Sequence, residues 1–503
     1  MKPTMKSAMF AAAFAAAVAA AAAVQTAFGA IRAASPAAWD GNSGGWQRKR
    51  HAEKMAEVAK GGAKVVFIGD SITHNWESRG KRQLKKYFSK GDWKMLNLGT
   101  GGDRTEHVLW RIDNGELDGY EAKCVLLMIG TNNTGHFKKF SDETPMDTII
   151  GIHEILKKIR ARQPNAIVVL TAIFPRGAGE DDPFRVRNDA VNREIKKFCD
   201  GKTVFWCDFS DRFLDENGDT KWIMPDRLHP DAKGYEIWYE EVKPYIEYAL
   251  SDGKKPRPKN RFSKAKTAFD KKTASLPGTA VPETRISRIG QDKAKNGDWW
   301  ISRMSRNRGQ IVDSKGEIDL VFFGDSITHN WEKQGKACLA ELAKTYSILD
   351  IGYSGDRTQH LVWRGLNGEL DGYKAKCVML MIGTNNCGHE RNPDKPEDVV
   401  KGIRRVLDVI AEKQPQAKTL LLPVFPRGDG PAHPGRRRNE AVNAAIKAFA
   451  DGDKVVWVDF NSRYLDKKGD TKWIMPDRLH PNAEGYKIWT EAVLPYFKAA
   501  CGK

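Results

Sequence analysis

The chain has 503 residues, of which 41% are hydrophobic and 29% charged, and its formal net charge is +18. That length exceeds one ordinary core and fits two domains of roughly 200 residues or more. The positive charge favours acidic partners or a well-solvated basic surface. Nucleic acid is set aside, because no zinc-finger spacing, groove-reading motif or aromatic–basic RNA signature occurs.

The first element reads as an address. Lys2 and Lys6 precede an alanine-rich run from Ala8 to Val24, and small residues follow at Ala27, Gly29, Ala30, Ala33 and Ala34. This is the layout of a secretory signal peptide, and it predicts that residues 1–35 are a leader and that the protein is secreted or periplasmic. No other apolar run is long enough to cross a bilayer, so stable membrane insertion is not expected.

After the leader, apolar runs alternate with helical patterns. Strands are predicted near 65–68, 94–98, 124–129, 166–173 and 203–208, with helices near 78–88, 105–113, 145–162, 184–199 and 231–250. Asp231, just past His229-Pro230, starts the last helix. Runs such as Val65-Val66-Phe67-Ile68 are apolar on both faces, as in a parallel sheet covered by helices. The alternation predicts a three-layer α/β/α domain with a mostly parallel sheet. Residues 251–297 follow, rich in proline and lysine, and read as a basic, extended linker.

The chain then repeats itself with a period near 250 residues, which means a duplicated domain rather than a solenoid. Gly69-Asp70-Ser71 returns as Gly324-Asp325-Ser326, and Gly101-Gly102-Asp103-Arg104 as Ser354-Gly355-Asp356-Arg357. Gly130-Thr131-Asn132-Asn133 returns as Gly383-Thr384-Asn385-Asn386, and Phe174-Pro175-Arg176-Gly177 as Phe425-Pro426-Arg427-Gly428. Trp222 to Pro230 returns as Trp473 to Pro481. The predicted domains are therefore 36–250 and 298–503.

These blocks supply the parts of a nucleophilic ester hydrolase. A serine hydroxyl needs a base, and the base needs an acid to orient it. Ser71 with His229 and Asp226 meets that need, as do Ser326, His480 and Asp477. The oxyanion of a tetrahedral intermediate needs preorganised donors. Gly102 and Asn132, or Gly355 and Asn385, are the candidates, joined by the serine N–H. Each block alone is a common turn or cap; four in fixed order, written twice, are not.

On these residues the chain resembles two tandem SGNH hydrolases of the GDSL esterase superfamily. Each copy is most similar to the catalytic subunits of the platelet-activating-factor acetylhydrolases. His107-Val108-Leu109-Trp110-Arg111, Asn114-Gly115-Glu116-Leu117 and Arg187-Asn188 extend the shared stretch to about 39–250 and 298–500. The resemblance implies a flavodoxin-like fold and ester hydrolysis, often deacetylation, without metal or cofactor. It departs from those cytosolic, single-domain enzymes in being duplicated, basic and preceded by a leader.

The expected substrate is an acylated small molecule or polysaccharide, with an acetylated carbohydrate first. A phospholipid acyl hydrolase and a glycan-binding protein with silent sites are the alternatives. Ile72, Thr131 and Leu228, with Ile327, Thr384 and Leu479, flank the triads and are expected to keep the acyl pocket small. Trp76 and Trp331 are candidate sugar-stacking residues, as are Trp110, Trp222, Trp363 and Trp473, with core packing as the competing reading. His74, His107 and His136, and their counterparts His329, His360 and His389, are substrate or supporting groups, or structural ones. Seven cysteines leave at least one unpaired; Cys199 and Cys207 form a disulfide or stay two buried thiols.

Overall fold

The computed structural model describes residues 31–39, 44–88, 93–135, 143–252, 254–287, 297–388 and 392–503. Two compact units emerge. One holds Ile31–Ala274 and Ile286–Ser302; the other holds Ser275–Arg285 and Arg303–Lys503.

In the first unit five strands form one parallel sheet: β1 (Val65–Gly69), β2 (Met95–Asn97), β3 (Cys124–Met128), β4 (Ile167–Thr171) and β5 (Val204–Cys207). Their order is β2-β1-β3-β4-β5. The second unit repeats this with β6 (Leu320–Gly324), β7 (Ile348–Gly352), β8 (Cys377–Met381), β9 (Lys418–Leu421) and β10 (Val455–Trp457), in the order β7-β6-β8-β9-β10. This is the flavodoxin-like order, in which chain reversal beside the first strand opens a crevice at the strands' carboxyl ends. In β1 every residue is buried, as the unbroken apolar run predicts.

The predicted helices form, and the sequence caps them. Thr144 and Asp147 make a reciprocal cap for Pro145–Arg162. Asp182 accepts from the N–H groups of Phe184 and Arg185 to start Pro183–Ile195. Asp231 accepts from Lys233 and Gly234 to start Ala232–Leu250. The sequence reading missed the helix Gly44–Val58. It inserts charged side chains rather than an apolar stripe: Arg50 donates to the Gly99 carbonyl at 2.7 Å and to Glu77, and Lys54 also reaches Glu77. Hydrophobic periodicity has nothing to detect in such a helix.

Residues 31–35, read as the end of a leader, pack as part of the first unit. Ala33 is fully buried, and its carbonyl accepts from the Thr105 hydroxyl at 2.7 Å. The second unit uses residues 278–280 in the same way, with Thr358 donating to the Thr279 carbonyl at 2.7 Å. Within the stretch read as an extended linker, residues 260–261 also run along β5: the Arg261 N–H donates to the Trp206 carbonyl, and the Asp208 N–H to the Arg261 carbonyl. A proline-rich, basic composition describes a strap laid on a surface as well as a free tether. All seven cysteines are free thiols, Cys199 and Cys207 among them.

Candidate active site

The nucleophile motif sits where β1 ends. Gly69 is needed there, because a Cβ would lie 2.2 Å from the Thr73 hydroxyl and 2.3 Å from the Met128 carbonyl. Asp70 caps the short helix Ser71–His74 by accepting from the Ile72 N–H at 2.9 Å. Burial pushes the carboxyl of Asp70 up to about 7, and that of Asp325 likewise.

The structure brings the three distant residues together. Ser71 Oγ lies 2.8 Å from His229 Nε2, and His229 Nδ1 lies 2.9 Å from Asp226 Oδ2. In the second unit Ser326 Oγ is 2.9 Å from His480 Nε2, and His480 Nδ1 is 2.6 Å from Asp477 Oδ2. The Asp-x-x-His loop is built for this contact. Arg227 and Arg478, between acid and base, hold φ values of +56° and +57°, a left-handed backbone that non-glycine residues rarely adopt and that collects at functional sites. It lets Asp226 Oδ1 accept from the N–H groups of Leu228 and His229 at 3.0 and 2.7 Å while Oδ2 faces the imidazole. Partial burial pushes the Asp226 carboxyl up. Hydrogen bonds from the His229 backbone and ring and from Leu228 outweigh it and bring the group down to about 2. Asp477 is lowered for the same reasons. The orienting carboxylate therefore stays ionised through any neutral or mildly acidic assay.

The donor side is equally preformed. Gly102 and Gly355 have φ of +78° and +80°, which turn the loop so that no side chain is accommodated without strain. Asn132 Nδ2 donates to the Asp103 carbonyl at 2.8 Å, and Asn385 to that of Asp356 at 2.8 Å, tying the asparagine loop to the glycine loop. Beneath them Arg111 is buried and reaches Asp103 Oδ2 at 2.8 Å, the Leu98 carbonyl at 2.7 Å and Glu116. Arg364 repeats this with Asp356, the Ile351 carbonyl and Glu369.

Other sequence candidates separate. Trp76 and Trp331 are fully buried and pack on Tyr235 and Trp238, and on Tyr486 and Trp489, so the sugar-stacking expectation is corrected to core packing for both. Ile72 and Ile327 are likewise core residues, not pocket walls. Thr131 and Thr384 are buried, and each accepts from an arginine, Arg176 and Arg427 respectively. Leu228 does line a cavity of about 370 Å³ with His229, Arg176 and Phe184, and Leu479 is half-buried at its own loop. Trp363 is buried and Trp110 half-buried, whereas Trp222 and Trp473 are 43% and 51% exposed, four residues before the triad aspartates.

Burial pushes His74 down to about 4 and His329 to about 3. Neutral His74 accepts from the Gly101 N–H at 3.3 Å, and His329 Nδ1 bonds the Ser354 hydroxyl at 2.9 Å. The serine that replaces glycine thus brings a side-chain bond to the imidazole. His107 and His360 accept the N–H groups of Arg104 and Arg357, and His136 and His389 lie outside the described residues. Sequence reasoning missed Arg79, which donates to Asp226 Oδ2 at 3.0 Å and to the His229 carbonyl at 3.1 Å. Gln334 stands at that place in the second copy, so the repeat gave no signal.

A parallel-sheet domain presenting serine, imidazole and carboxylate in line where its first strand ends is a hydrolase architecture. The chain belongs to the GDSL-like lipase/acylhydrolase family, whose model matches residues 67–237 and again 322–488. It is similar to the platelet-activating factor acetylhydrolase IB subunit alpha1 of Homo sapiens, at 34% identity over 217 residues, covering 42% of this chain and 87% of the relative. The alpha2 subunit of Rattus norvegicus is 36% identical over 210 residues, covering 41% and 84%. Among solved structures, an acetylxylan esterase from Geobacillus stearothermophilus aligns with a TM-score of 0.30 at 20% identity, covering 37% of this chain and 96% of that one.

Proposed function

We propose that the protein is an exported serine esterase with two active sites, each removing small acyl groups, acetyl first, from a carbohydrate. The observation that carries the chemistry is the unbroken hydrogen-bonded line Ser71–His229–Asp226, duplicated as Ser326–His480–Asp477. His229 takes the proton of the Ser71 hydroxyl as Oγ attacks the ester carbonyl. The oxyanion forms opposite Gly102 and Asn132. The imidazolium, held by Asp226, then protonates the departing alcohol, leaving an acyl-serine. Water, deprotonated by the same imidazole, clears it and restores the hydroxyl. Ser326, His480, Asp477, Gly355 and Asn385 perform the same steps.

The acetyl assignment is supported by relatives named for acetyl hydrolysis, which match over most of their length. The carbohydrate assignment is supported by the exposed indoles of Trp222 and Trp473, on the same loops as the triad acids, where a sugar ring can stack. Acetate release across acetylated xylan, acetylated pectin and an acetylated phospholipid tests it. We expect release from a polysaccharide; release from the phospholipid alone would replace this reading with the lipid one.

The export assignment rests on the leader-like run before residue 25, which lies outside the described residues. Because Ile31 and Ala33 are core residues, a leader is removed ahead of Ile31. The mass of protein recovered from the secreting host checks this. A mature chain beginning at or before Ile31 is expected, and cleavage beyond Ala33 would contradict it.

A further inference from the structure

The two copies keep the same triad but differ in the wall beside it. The segment entering each unit fixes the correspondence. The Ala37 N–H donates to the Glu106 carbonyl at 3.2 Å, and the Glu283 N–H to the Gln359 carbonyl at 3.2 Å. Two residues further on stand Trp39 and Arg285. Trp39 is buried and donates through Nε1 to Asp103 Oδ1 at 2.7 Å. Arg285 bonds the Ser354 carbonyl, lies 3.7 Å from Asp356 (the counterpart of Asp103), and covers the oxyanion loop: a Cβ on Gly355 would sit 2.8 Å from its Nη1.

A second exchange points the same way. Arg104 of the first copy is buried between Glu106, at 2.7 Å, and Glu143. Its counterpart Arg357 has Gln359 where Glu106 stood, reaches Asp394 at 3.4 Å, and is 24% exposed at the side chain. In a third, Phe184 lies 4.7 Å from the Arg176 guanidinium in the first copy, whereas the second has Gly435 there, beside Arg427. Arg79, the additional cation of the first site, is engaged by Asp226.

The outcome in the second unit is a cavity of about 830 Å³ that reaches Gly355 and Asn385 and is lined by Arg285, Arg357 and Arg427, with Glu283 as the acidic member. Three guanidinium groups around an oxyanion site match a planar anion on the substrate, which such forks bind by charge-assisted bonds. We propose that the second site selects acyl esters whose sugar carries a carboxylate, whereas the first, walled by Trp39 and Phe184, accepts neutral ones. This rests on the esterase reading above.

The test uses full-length chains with one site silenced: Ser71→Ala reports the second site and Ser326→Ala the first. Each is assayed on p-nitrophenyl acetate, an acetylated methyl galactoside and the matching galacturonide, which differs by its carboxylate. We expect the galacturonide-to-galactoside ratio of kcat/KM to be about tenfold or more higher for the second site, and to fall as salt is raised. Arg285→Trp in the Ser71→Ala chain should cut that ratio about fivefold through KM, and Arg357→Gln should lower it independently. Equal ratios at the two sites, or a second-site ratio insensitive to salt and to both substitutions, overturn the charge assignment while p-nitrophenyl acetate turnover leaves the esterase reading standing. Absence of p-nitrophenyl acetate turnover in the parent chain overturns both.

Discussion

Replacing Ser71 and Ser326 together by alanine is expected to lower hydrolysis of p-nitrophenyl acetate by roughly 10⁴- to 10⁶-fold in kcat, with the fold intact. Each hydroxyl is hydrogen-bonded to an imidazole already aligned by a carboxylate. Each single substitution should leave the other site's rate, so the two single-variant rates sum to that of the parent. Asp226→Asn in the Ser326→Ala chain should cost about 10²- to 10⁴-fold, because an amide facing Nδ1 neither fixes the tautomer nor stabilises the imidazolium. Steady-state kinetics and labelling by a fluorophosphonate read these out. Undiminished turnover in the double variant would remove the triad from the mechanism.

The largest stability effect is expected from Arg111→Met. Arg111 is buried and joins Asp103 and Glu116 to the Leu98 carbonyl. Without its guanidinium, the two buried acidic groups lose their arginine, and Glu116 keeps His51 at 2.8 Å and Asp103 the Trp39 indole. Breaking a buried pair in this way costs about 3–5 kcal/mol. For a domain of this size that is a fall of roughly 6–20 °C in the transition of the first unit. The first site should weaken as well, because Asp103 follows Gly102 and its carbonyl holds Asn132. Arg111→Lys keeps the charge but not the fork, and should fall between parent and methionine variant. Calorimetry with paired assays of the two sites checks this; an unshifted first transition would contradict it.

Much of the site was legible without coordinates because the duplication did the filtering. Ser71, Asp226, His229, Gly102 and Asn132 recur in the same order at Ser326, Asp477, His480, Gly355 and Asn385, and random turns do not repeat in that way. The same filter failed for Arg79, whose place is taken by Gln334 in the second copy, and misled for Trp76 and Trp331. Those indoles repeat because the core needs them, and repetition does not distinguish packing from binding. The helix Gly44–Val58 was missed because its inward face is charged.

The sequence by itself determined the two parallel sheets, the predicted helices with the start at Asp231, and which serine, histidine and aspartate recur in both copies, because apolar runs, a capping residue and a repeated motif are local signals. Only the tertiary structure decided which tryptophans face solvent, that residues 31–35 and 278–280 are straps of their units, and that Arg285 covers the Gly355 loop at the place where the first unit buries Trp39. Those outcomes depend on contacts between residues far apart in the chain, such as Thr358 with Thr279 and Trp76 with Trp238, and no spacing rule along one chain encodes them.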